Sequence, residues 1–296
     1  MENEVGSSNE LMTLIRTYLE LTKLRIVLLL LFTTLTAMVI AAGGVPALNI
    51  LIPSLIGGAM AAAGSSAINQ YVDRDMDAKM TRTARRPIPS GRVEPSNALL
   101  FGVILVALSV LVLGVWVNWL TAILALAGSL YYVVVYTLLL KRNTALNIVI
   151  GGGAGAMPVL VGWAAVANDL PIQAWILFAI VFYWTPPHSW ALALLVNTDY
   201  ARAGVPMMPV ARGEKITRRQ ILLYSVLLFV ITLLPGTLDM LGAIYMVSAI
   251  VLGLGLIWMS IRLIREADKA IARSTYKYST AYLAFLFMAM LIDIIL

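Results

Sequence analysis

Residues 48–77, LNILIPSLIGGAMAAAGSSAINQYVDRDMD, hold the two features that decide the fold. An apolar run long enough to cross the roughly 30 Å hydrocarbon core as a helix passes directly into a cluster of acids and bases. The apolar part favours lipid or other helices, whereas the charged end requires water, a partner or a bound ion. The segment therefore predicts a transmembrane helix with chemically active groups at one end.

The whole chain has the composition of a membrane protein. Of its 296 residues, 61% are hydrophobic and only 12% are charged, well below the charged fraction of an average soluble domain. We count about nine apolar runs that could span a bilayer: 24–43, 48–72, 97–117, 119–140, 145–167, 171–196, 219–238, 241–264 and 278–296. We therefore predict an all-α, polytopic membrane protein. A single transmembrane domain over residues 24–296 follows a polar tail and interfacial helix over residues 1–23.

The basic residues predict how the helices are oriented. In the nine-helix arrangement all 21 Lys and Arg residues lie on one side, which the positive-inside rule identifies as cytoplasmic. The N-terminus is then cytoplasmic, and an odd number of spans puts the C-terminus on the opposite side of the cell membrane. The long, charged loops after the second and sixth helices are cytoplasmic too, so we expect a central cavity that opens towards that side. The chain has no Cys, so it has no disulfide framework and no thiolate ligand.

Asn69, Asp73 and Asp77 follow one another at intervals of four residues. On a helix this spacing confines the three side chains to an arc of about 80°, while Asp75 points elsewhere. Stacked carboxylates at membrane depth are costly unless a cation lies between them. Oxygen ligands favour Mg²⁺, which proteins commonly hold through one or two carboxylates together with substrate phosphates. The three residues are therefore candidate catalytic and metal-binding residues.

A group of bases follows these acids within the same loop. One interpretation is an ordinary solvated loop on the cytoplasmic side. The other is a diphosphate site, because guanidinium groups bind phosphate oxygens bidentately. The group consists of Lys79, Arg82, Arg85, Arg86 and Arg92.

Two further polar residues belong to the predicted sixth helix. Asp199 ends this helix and would complete a shell for a second cation if the second and sixth helices are neighbours. His188, the only histidine, follows Pro186 and Pro187, which remove backbone donors and interrupt the helical hydrogen bonds. It is either an acid–base group or axial heme ligand, or a buried histidine bonded to a carbonyl that the prolines leave free.

Other functional classes find little support in the sequence. There is no P-loop, no dinucleotide-binding glycine motif and no histidine-rich cluster, and we expect no nucleic-acid partner. A carrier is the alternative that fits the number of helices. A carrier, however, places its ionisable groups near the membrane midplane, whereas the acids here lie at predicted helix ends.

The acidic motif N-x-x-x-D-x-x-x-D resembles that of the UbiA-like intramembrane prenyltransferases. Longer strings resemble the branch of this superfamily that acts on heme: NQYVDRDMDAKMTRT with RPIPSGR, YTLLLKRNTALNIVIGGGAGAMPVLVGWAA, PPHSWALAL and DYARAGVPMMPV. The similarity runs from about residue 18 to past residue 213.

The resemblance implies transfer of a farnesyl group from farnesyl diphosphate to a vinyl group of heme B, which releases diphosphate and forms heme O. It also implies contact with membrane lipids and a downstream heme A synthase or terminal oxidase. Asn69, Asp73 and Asp77 would bind Mg²⁺ and the diphosphate, and Asp199 would provide the second acidic site. The substrate contacts that the resemblance implies are Arg82, Arg86, Lys141, Arg142 and a heme-facing His188, and we add Arg202, which follows Asp199, as a further candidate.

Three departures from the family pattern leave alternatives open. Asn197 and Thr198 stand where the family has a lysine and often an extra acid, which affects the second phosphate or metal site. Thr185 and Ser189 flank PPH in place of the usual glutamine and aromatic residue, which affects the fit of the acceptor. Leu24 stands where a proline is usual. The alternatives are a UbiA-like enzyme for a quinone precursor, chlorophyllide or lipid, and a noncatalytic heme-binding protein of oxidase assembly.

Overall fold

The computed structural model describes the backbone of residues 2–296 and the side chains of residues 10–296. All regular structure in this part of the chain is helical. The helices are α1 Glu2–Thr22, α2 Leu24–Ala42, α3 Leu48–Val72, α4 Arg74–Asp77, α5 Pro95–Trp116, α6 Trp119–Leu130, α7 Asn147–Ala167, α8 Ile172–Leu195, α9 Asn197–Arg202, α10 Met208–Ala211, α11 Glu214–Thr237, α12 Ala243–Glu266 and α13 Lys269–Ile295. A π-helical segment, Tyr131–Leu140, continues α6.

Eight helices of the described chain are long and apolar enough to cross a membrane: α2, α3, α5, α6 with its π-helical continuation, α7, α11, α12 and α13. The polytopic helical architecture is therefore confirmed. The predicted sixth span, α8, has 24 residues but is not among the eight, because its prolines, His188 and polar aromatic residues lower its hydropathy. A total of nine spans stays a prediction.

Two helices begin at least five residues earlier than the apolar runs predict. α11 starts at Glu214 instead of residue 219, and α13 starts at Lys269 instead of residue 278. Hydropathy detects only the part of a helix that favours hydrocarbon, whereas helical hydrogen bonding propagates into adjoining charged residues. The charged ends therefore extend these helices beyond their apolar segments.

Helix α8 packs against α7, α11 and α13. Its buried residues include Trp184 and Trp190, and the helix continues through Pro186 and Pro187. The interruption expected at the two prolines is not observed. Neighbouring helices can hold a proline-containing segment in a helical path, and a helix enclosed by others needs less lipid-compatible surface. The position of α8 in the bundle therefore accounts for its mixed sequence.

The small residues of α3 and α7 allow close contact between helices. A Cβ atom added to Gly64 of α3 would lie only 2.6 Å from the carbonyl oxygen of Gly102 in α5. A Cβ atom on Gly162 of α7 would meet the backbone of Thr34 in α2 even more closely. Any larger side chain at these positions would force the paired helices apart.

Candidate active site

The candidate acidic array, Asn69, Asp73 and Asp77, lies at the junction of α3 and α4. The regular α-helix stops at Val72 and Asp73 separates it from the short α4. Backbone bonds from Asp73 N to Asn69 O (2.9 Å) and from Asp77 N to Asp73 O (2.7 Å) preserve the four-residue spacing across this junction. The three residues are 2%, 0% and 2% exposed, so all three polar side chains are removed from bulk solvent.

Basic side chains surround this array on several sides. Lys141 forms a very short ion pair with Asp73 Oδ2, and Arg86 Nη1 lies 2.6 Å from Asp77 Oδ2. Arg142 Nη2 lies 3.8 Å from Asp73 Oδ1. Carboxylates buried to this degree are tolerated only with such compensation, because leaving one unpaired costs several kcal/mol. The array is therefore a cluster of acids embedded in positive charge.

The π-helical segment brings a second set of contacts to the array. Asn69 Nδ2 donates to Asp73 Oδ2 at 2.7 Å and to Thr137 Oγ1 at 3.1 Å. Thr137 donates in turn to Tyr132 O at 2.8 Å, five residues earlier, and Lys141 N bonds Tyr136 O with the same wide spacing. π-helical turns are uncommon and occur frequently at functional sites. Here they place Thr137 and Lys141 beside the acids of α3.

Lys23 is a site residue that the sequence reasoning treated only as a cytoplasmic charge. Its Nζ donates to Asn69 Oδ1 at 2.7 Å, so it contacts the array directly. Lys23 joins α1 to α2 in a left-handed conformation (φ 52°), and Gln70 Nε2 supports this junction by donating to Leu21 O at 2.9 Å. Desolvation, followed by repulsion from Arg86 and Lys141, lowers the pKa of Lys23 to about 7. Thr137 was also missed, because only the π-helical geometry reveals its position.

Arg142 is anchored at the edge of the array. Its guanidinium binds both oxygens of Asp75, at 2.9 and 2.7 Å, and donates to Val72 O at 3.0 Å. These contacts, led by the side-chain hydrogen bond from Arg142, lower the pKa of Asp75. Asp75 is not part of the array, and its side chain is exposed. This agrees with the sequence, which places Asp75 outside the arc shared by the three array residues.

Asp199 lies apart from these contacts, against the loop that follows α4. Thr81 Oγ1 donates to Asp199 Oδ1 at 3.1 Å, and the Arg82 backbone N–H donates to Oδ2 at 3.4 Å. Arg202 Nη1 donates to Thr81 Oγ1 at 3.0 Å and lies 3.4 Å from Asp199 Oδ1. Burial raises the pKa of Asp199, but the hydrogen bonds from Thr81 and Arg82 and the charge of Arg202 outweigh it, so the net shift is downward. The side chain of Arg82 is exposed. A joint action of Asp199 with the array stays a prediction.

His188 is held by α8 and α13. Its ring stacks on Trp184 with centroids 4.3 Å apart, and Tyr276 lies 4.8 Å away. Its Nδ1 lies 2.9 Å from the hydroxyl of Ser279. One interpretation from sequence has His188 bonded to a backbone carbonyl that the prolines leave free. In the structure, the partner of Nδ1 is instead the side chain of Ser279.

A cavity of about 610 Å³ opens beside the array. Lys23 and Arg86, which bind Asn69 and Asp77, form part of its wall. Its lining combines basic and apolar side chains with one acid, Glu20; the others are Arg16, Leu19, Lys23, Leu24, Arg25, Ile26 and Arg86. Such a lining suits a molecule with an anionic head and a hydrocarbon tail.

Residues 30–291 match the UbiA prenyltransferase family. The chain belongs to this family. A protoheme IX farnesyltransferase from Symbiobacterium thermophilum is 52% identical over 95% of this chain and 94% of its own length. A protein of the same name from Roseiflexus castenholzii is 50% identical over 95% of this chain but only 52% of its own length. The chain thus spans about half the length of several of the curated relatives it matches.

Several solved structures share the fold of the chain. The structure described as digeranylgeranylglyceryl phosphate synthase has a TM-score of 0.79 at 19% identity and covers 95% of this chain and 98% of its own. A UbiA homolog from Archaeoglobus fulgidus bound to GPP and Mg²⁺ has a TM-score of 0.65 at 18% identity. The match covers 93% of this chain and 99% of the homolog. At these identities the likeness establishes the architecture alone.

The acidic array of this UbiA-family chain has the chemistry for Mg²⁺. Asp73 Oδ1 is buried and has no hydrogen-bond partner among the described residues, so one oxygen remains available as a ligand. The array offers only oxygen ligands, and Mg²⁺ typically uses one or two carboxylates together with substrate phosphates and water. Within the described residues, no three His, Cys, Asp or Glu side chains form a metal-holding group.

Proposed function

We propose that this chain is a Mg²⁺-dependent protoheme IX farnesyltransferase. It transfers the farnesyl group of farnesyl diphosphate to a vinyl group of heme B, releases diphosphate and forms heme O. The farnesyl C1–O bond breaks, C1 bonds to the vinyl carbon, and water supplies the hydroxyl group of the product while a proton is released. The buried acidic array, with four basic side chains and one unpartnered carboxylate oxygen, is the observation that carries this proposal. The names of the relatives with about 50% identity support the choice of acceptor.

The residues around the array divide into two roles. Asp73 and Asp77, with Asn69 beside them, would hold Mg²⁺, and bound Mg²⁺ supplies positive charge to the departing diphosphate. Lys141 and Arg86 already contact the two carboxylates, so their charges lie where phosphate oxygens would approach. Preorganised positive groups of this kind favour the build-up of negative charge on a leaving group. We assign Arg82, Arg142 and Arg202 as further contacts to the anionic groups of the substrates, and Asp199 as the second acidic site.

Aromatic residues next to the array would shield the allylic cation that C–O cleavage produces. Tyr132 and Tyr136 stack with ring centroids 5.7 Å apart in the π-helical segment that also carries Thr137. Aromatic faces attract cations and exclude water. Tyr71 is covered by the guanidinium of Arg74 at 4.4 Å, and Trp184 stacks on His188. The tyrosine pair is therefore the better candidate for this shielding role.

The proposed location is the cell membrane, with the N-terminus cytoplasmic and the C-terminus on the opposite side. Polar contacts between distant segments support a common cytoplasmic end. Examples are Arg92 of the loop with Glu20 of α1, and Arg218 of α11 with Ala267 after α12. A heme A synthase or terminal oxidase would take the product from there.

The direct test is product formation by the purified full chain in lipid nanodiscs. Heme B, farnesyl diphosphate and Mg²⁺ are expected to give a heme adduct with the mass of farnesyl plus water, and a chelator should suppress it. Shorter and longer prenyl diphosphates define the donor. Farnesylation of a quinone precursor, chlorophyllide or lipid without any heme adduct would overturn the choice of acceptor. Heme binding without turnover would instead favour a noncatalytic assembly protein.

A further inference from the structure

The imidazole of His188 has aromatic neighbours and a hydrogen-bond partner at one ring nitrogen. Trp184 is nearly parallel to it, with an interplanar angle of 22°, and Tyr276 lies at 34°. Both rings are at stacking distance, and one face of an imidazole has room for only one of them, so they cover opposite faces. Nδ1 is held by Ser279, and the residue is partly buried. Nε2 is therefore the ring nitrogen without a hydrogen-bond partner among the described residues.

The hydrogen bonds of Ser279 indicate which nitrogen carries the proton. Ser279 Oγ donates to Tyr276 O at 2.8 Å. A hydroxyl has one proton, so towards His188 the same oxygen acts as an acceptor from Nδ1–H. The Nδ1–H form therefore matches the hydrogen bonds of Ser279 and leaves a lone pair on Nε2.

Ser279 also fixes the surroundings of the ring. Its carbonyl oxygen accepts a hydrogen bond from Trp184 Nε1 at 2.7 Å, and it lies on α13, fully buried. One residue of α13 thus holds both the imidazole and the indole that covers it. Histidines that ligate metals usually donate their second ring N–H to a fixed acceptor, which sets the tautomer and increases the basicity of the ligating nitrogen.

We infer that Ser279 is a positioning residue that holds His188 in the Nδ1–H tautomer, so that Nε2 binds the iron of the heme acceptor. The inference rests on the proposed function, because it takes heme B as the substrate. Neutral imidazole is a common axial ligand of heme iron. One axial bond from a ring clamped between Trp184 and Tyr276 would restrict the macrocycle to few orientations before farnesyl transfer.

The test is a titration of the full chain with ferric heme B, followed by absorption and electron paramagnetic resonance spectra. No farnesyl diphosphate is present, so the assay is independent of turnover. The wild type is expected to show an imidazole-ligated spectrum that His188→Ala abolishes. Ser279→Ala is expected to weaken heme binding by about 10-fold or more, as loss of an outer-shell partner typically does. Ser279→Thr keeps the hydroxyl and is expected to retain the spectrum.

Ser260→Ala is the matched control. Ser260 is equally buried and bonds across helices to Ser225 Oγ at 3.0 Å, so the variant loses a comparable contact without touching the imidazole. If Ser279→Ala fails to fold, Ser279→Cys, which has a weaker acceptor of similar shape, should bind heme less tightly than the wild type.

An unchanged affinity and spectrum in the folded Ser279 variant would overturn the inference, as would an imidazole-type spectrum that survives in His188→Ala. A chain that binds heme through His188 but forms no adduct would contradict the proposed function alone.

Discussion

The two acidic regions of the protein differ in how their charges are compensated. Asp73 and Asp77 of the array are almost completely buried, and each forms an ion pair with a basic side chain. Asp199 has a side chain that is 13% exposed, and its basic neighbour Arg202 is 58% exposed. A buried charge must be fully paired, whereas a charge at the rim is partly solvated by water. We therefore expect the array to act as a preorganised site and Asp199 to have a smaller role.

The largest effect in this comparison is expected for Asp73→Asn. The substitution keeps the shape but leaves Lys141 without its counter-charge and removes the free carboxylate oxygen. Breaking a buried ion pair typically costs about 3–5 kcal/mol of stability. Loss of charge stabilisation at the leaving group typically lowers kcat by about 100-fold or more. Farnesyl transfer by mass spectrometry and thermal unfolding in detergent measure the two effects.

Asp75→Asn is the matched control for this variant. It removes a carboxylate two positions away that is 59% exposed and pairs with Arg142. Exposed ion pairs contribute about 0–1 kcal/mol, so stability should change little. Equal losses in the two variants would mean that burial within the array is not what makes Asp73 important.

The array was predictable from sequence because its spacing is local. Four-residue intervals place Asn69, Asp73 and Asp77 on one path, and the backbone bonds preserve that path even though the regular helix ends at Val72. The membrane-spanning helices were predictable for a similar reason, since long apolar runs have few alternatives to a helix in lipid.

The contributions of Lys23 and Thr137 were not predictable, because they depend on tertiary contacts. Lys23 reaches Asn69 from the junction of α1 and α2, and Thr137 reaches it from a π-helical turn. Nothing in the letters YYVVVYTLLL distinguishes five-residue hydrogen bonding from the ordinary α-helical pattern. The apolar-run criterion likewise did not reveal how far α8 is enclosed by other helices.

Asp199→Asn is expected to have a smaller effect than Asp73→Asn. Asp199 bonds to Thr81 and Arg82 in the loop that also supplies Arg86 to the array, so its loss should loosen that loop without removing a buried charge. We expect about a 10-fold loss of kcat/KM, comparable with the loss of an outer-shell partner. Activity measured as a function of Mg²⁺ concentration separates an indirect role of Asp199 from direct binding of the metal. A loss as large as that of Asp73→Asn, with greatly weakened Mg²⁺ dependence, would mean that Asp199 is a direct metal ligand.

Thr137→Val tests the link between the π-helical segment and the array. The variant has nearly the same shape but cannot accept the hydrogen bond from Asn69 Nδ2. One buried hydrogen bond is worth about 1 kcal/mol, which corresponds to roughly a fivefold decrease in kcat/KM if it orients Asn69. Thr217→Val is the control, because Thr217 is equally buried but bonds only to Gly213 O in the first turn of α11. The same decrease in both variants would show that the effect is a general one on packing.

The smallest effect is expected at the ion pair between Glu20 and Arg92, which ties α1 to the loop after α4. Its atoms lie 2.6 Å apart, but both side chains are substantially exposed, at 51% and 40%. The side-chain hydrogen bond from Arg92 lowers the pKa of Glu20, so the pair should stabilise the protein above the ordinary carboxyl pKa and lose this contribution as the pH falls through the lowered value. Glu20→Gln should therefore lower the thermal unfolding temperature slightly at pH 7, by the equivalent of less than about 1 kcal/mol. The difference from the wild type should vanish in acid, where the protonated Glu20 of the wild type is as neutral as the Gln of the variant. A difference that persists in acid would show that Glu20 acts through packing and not through its charge.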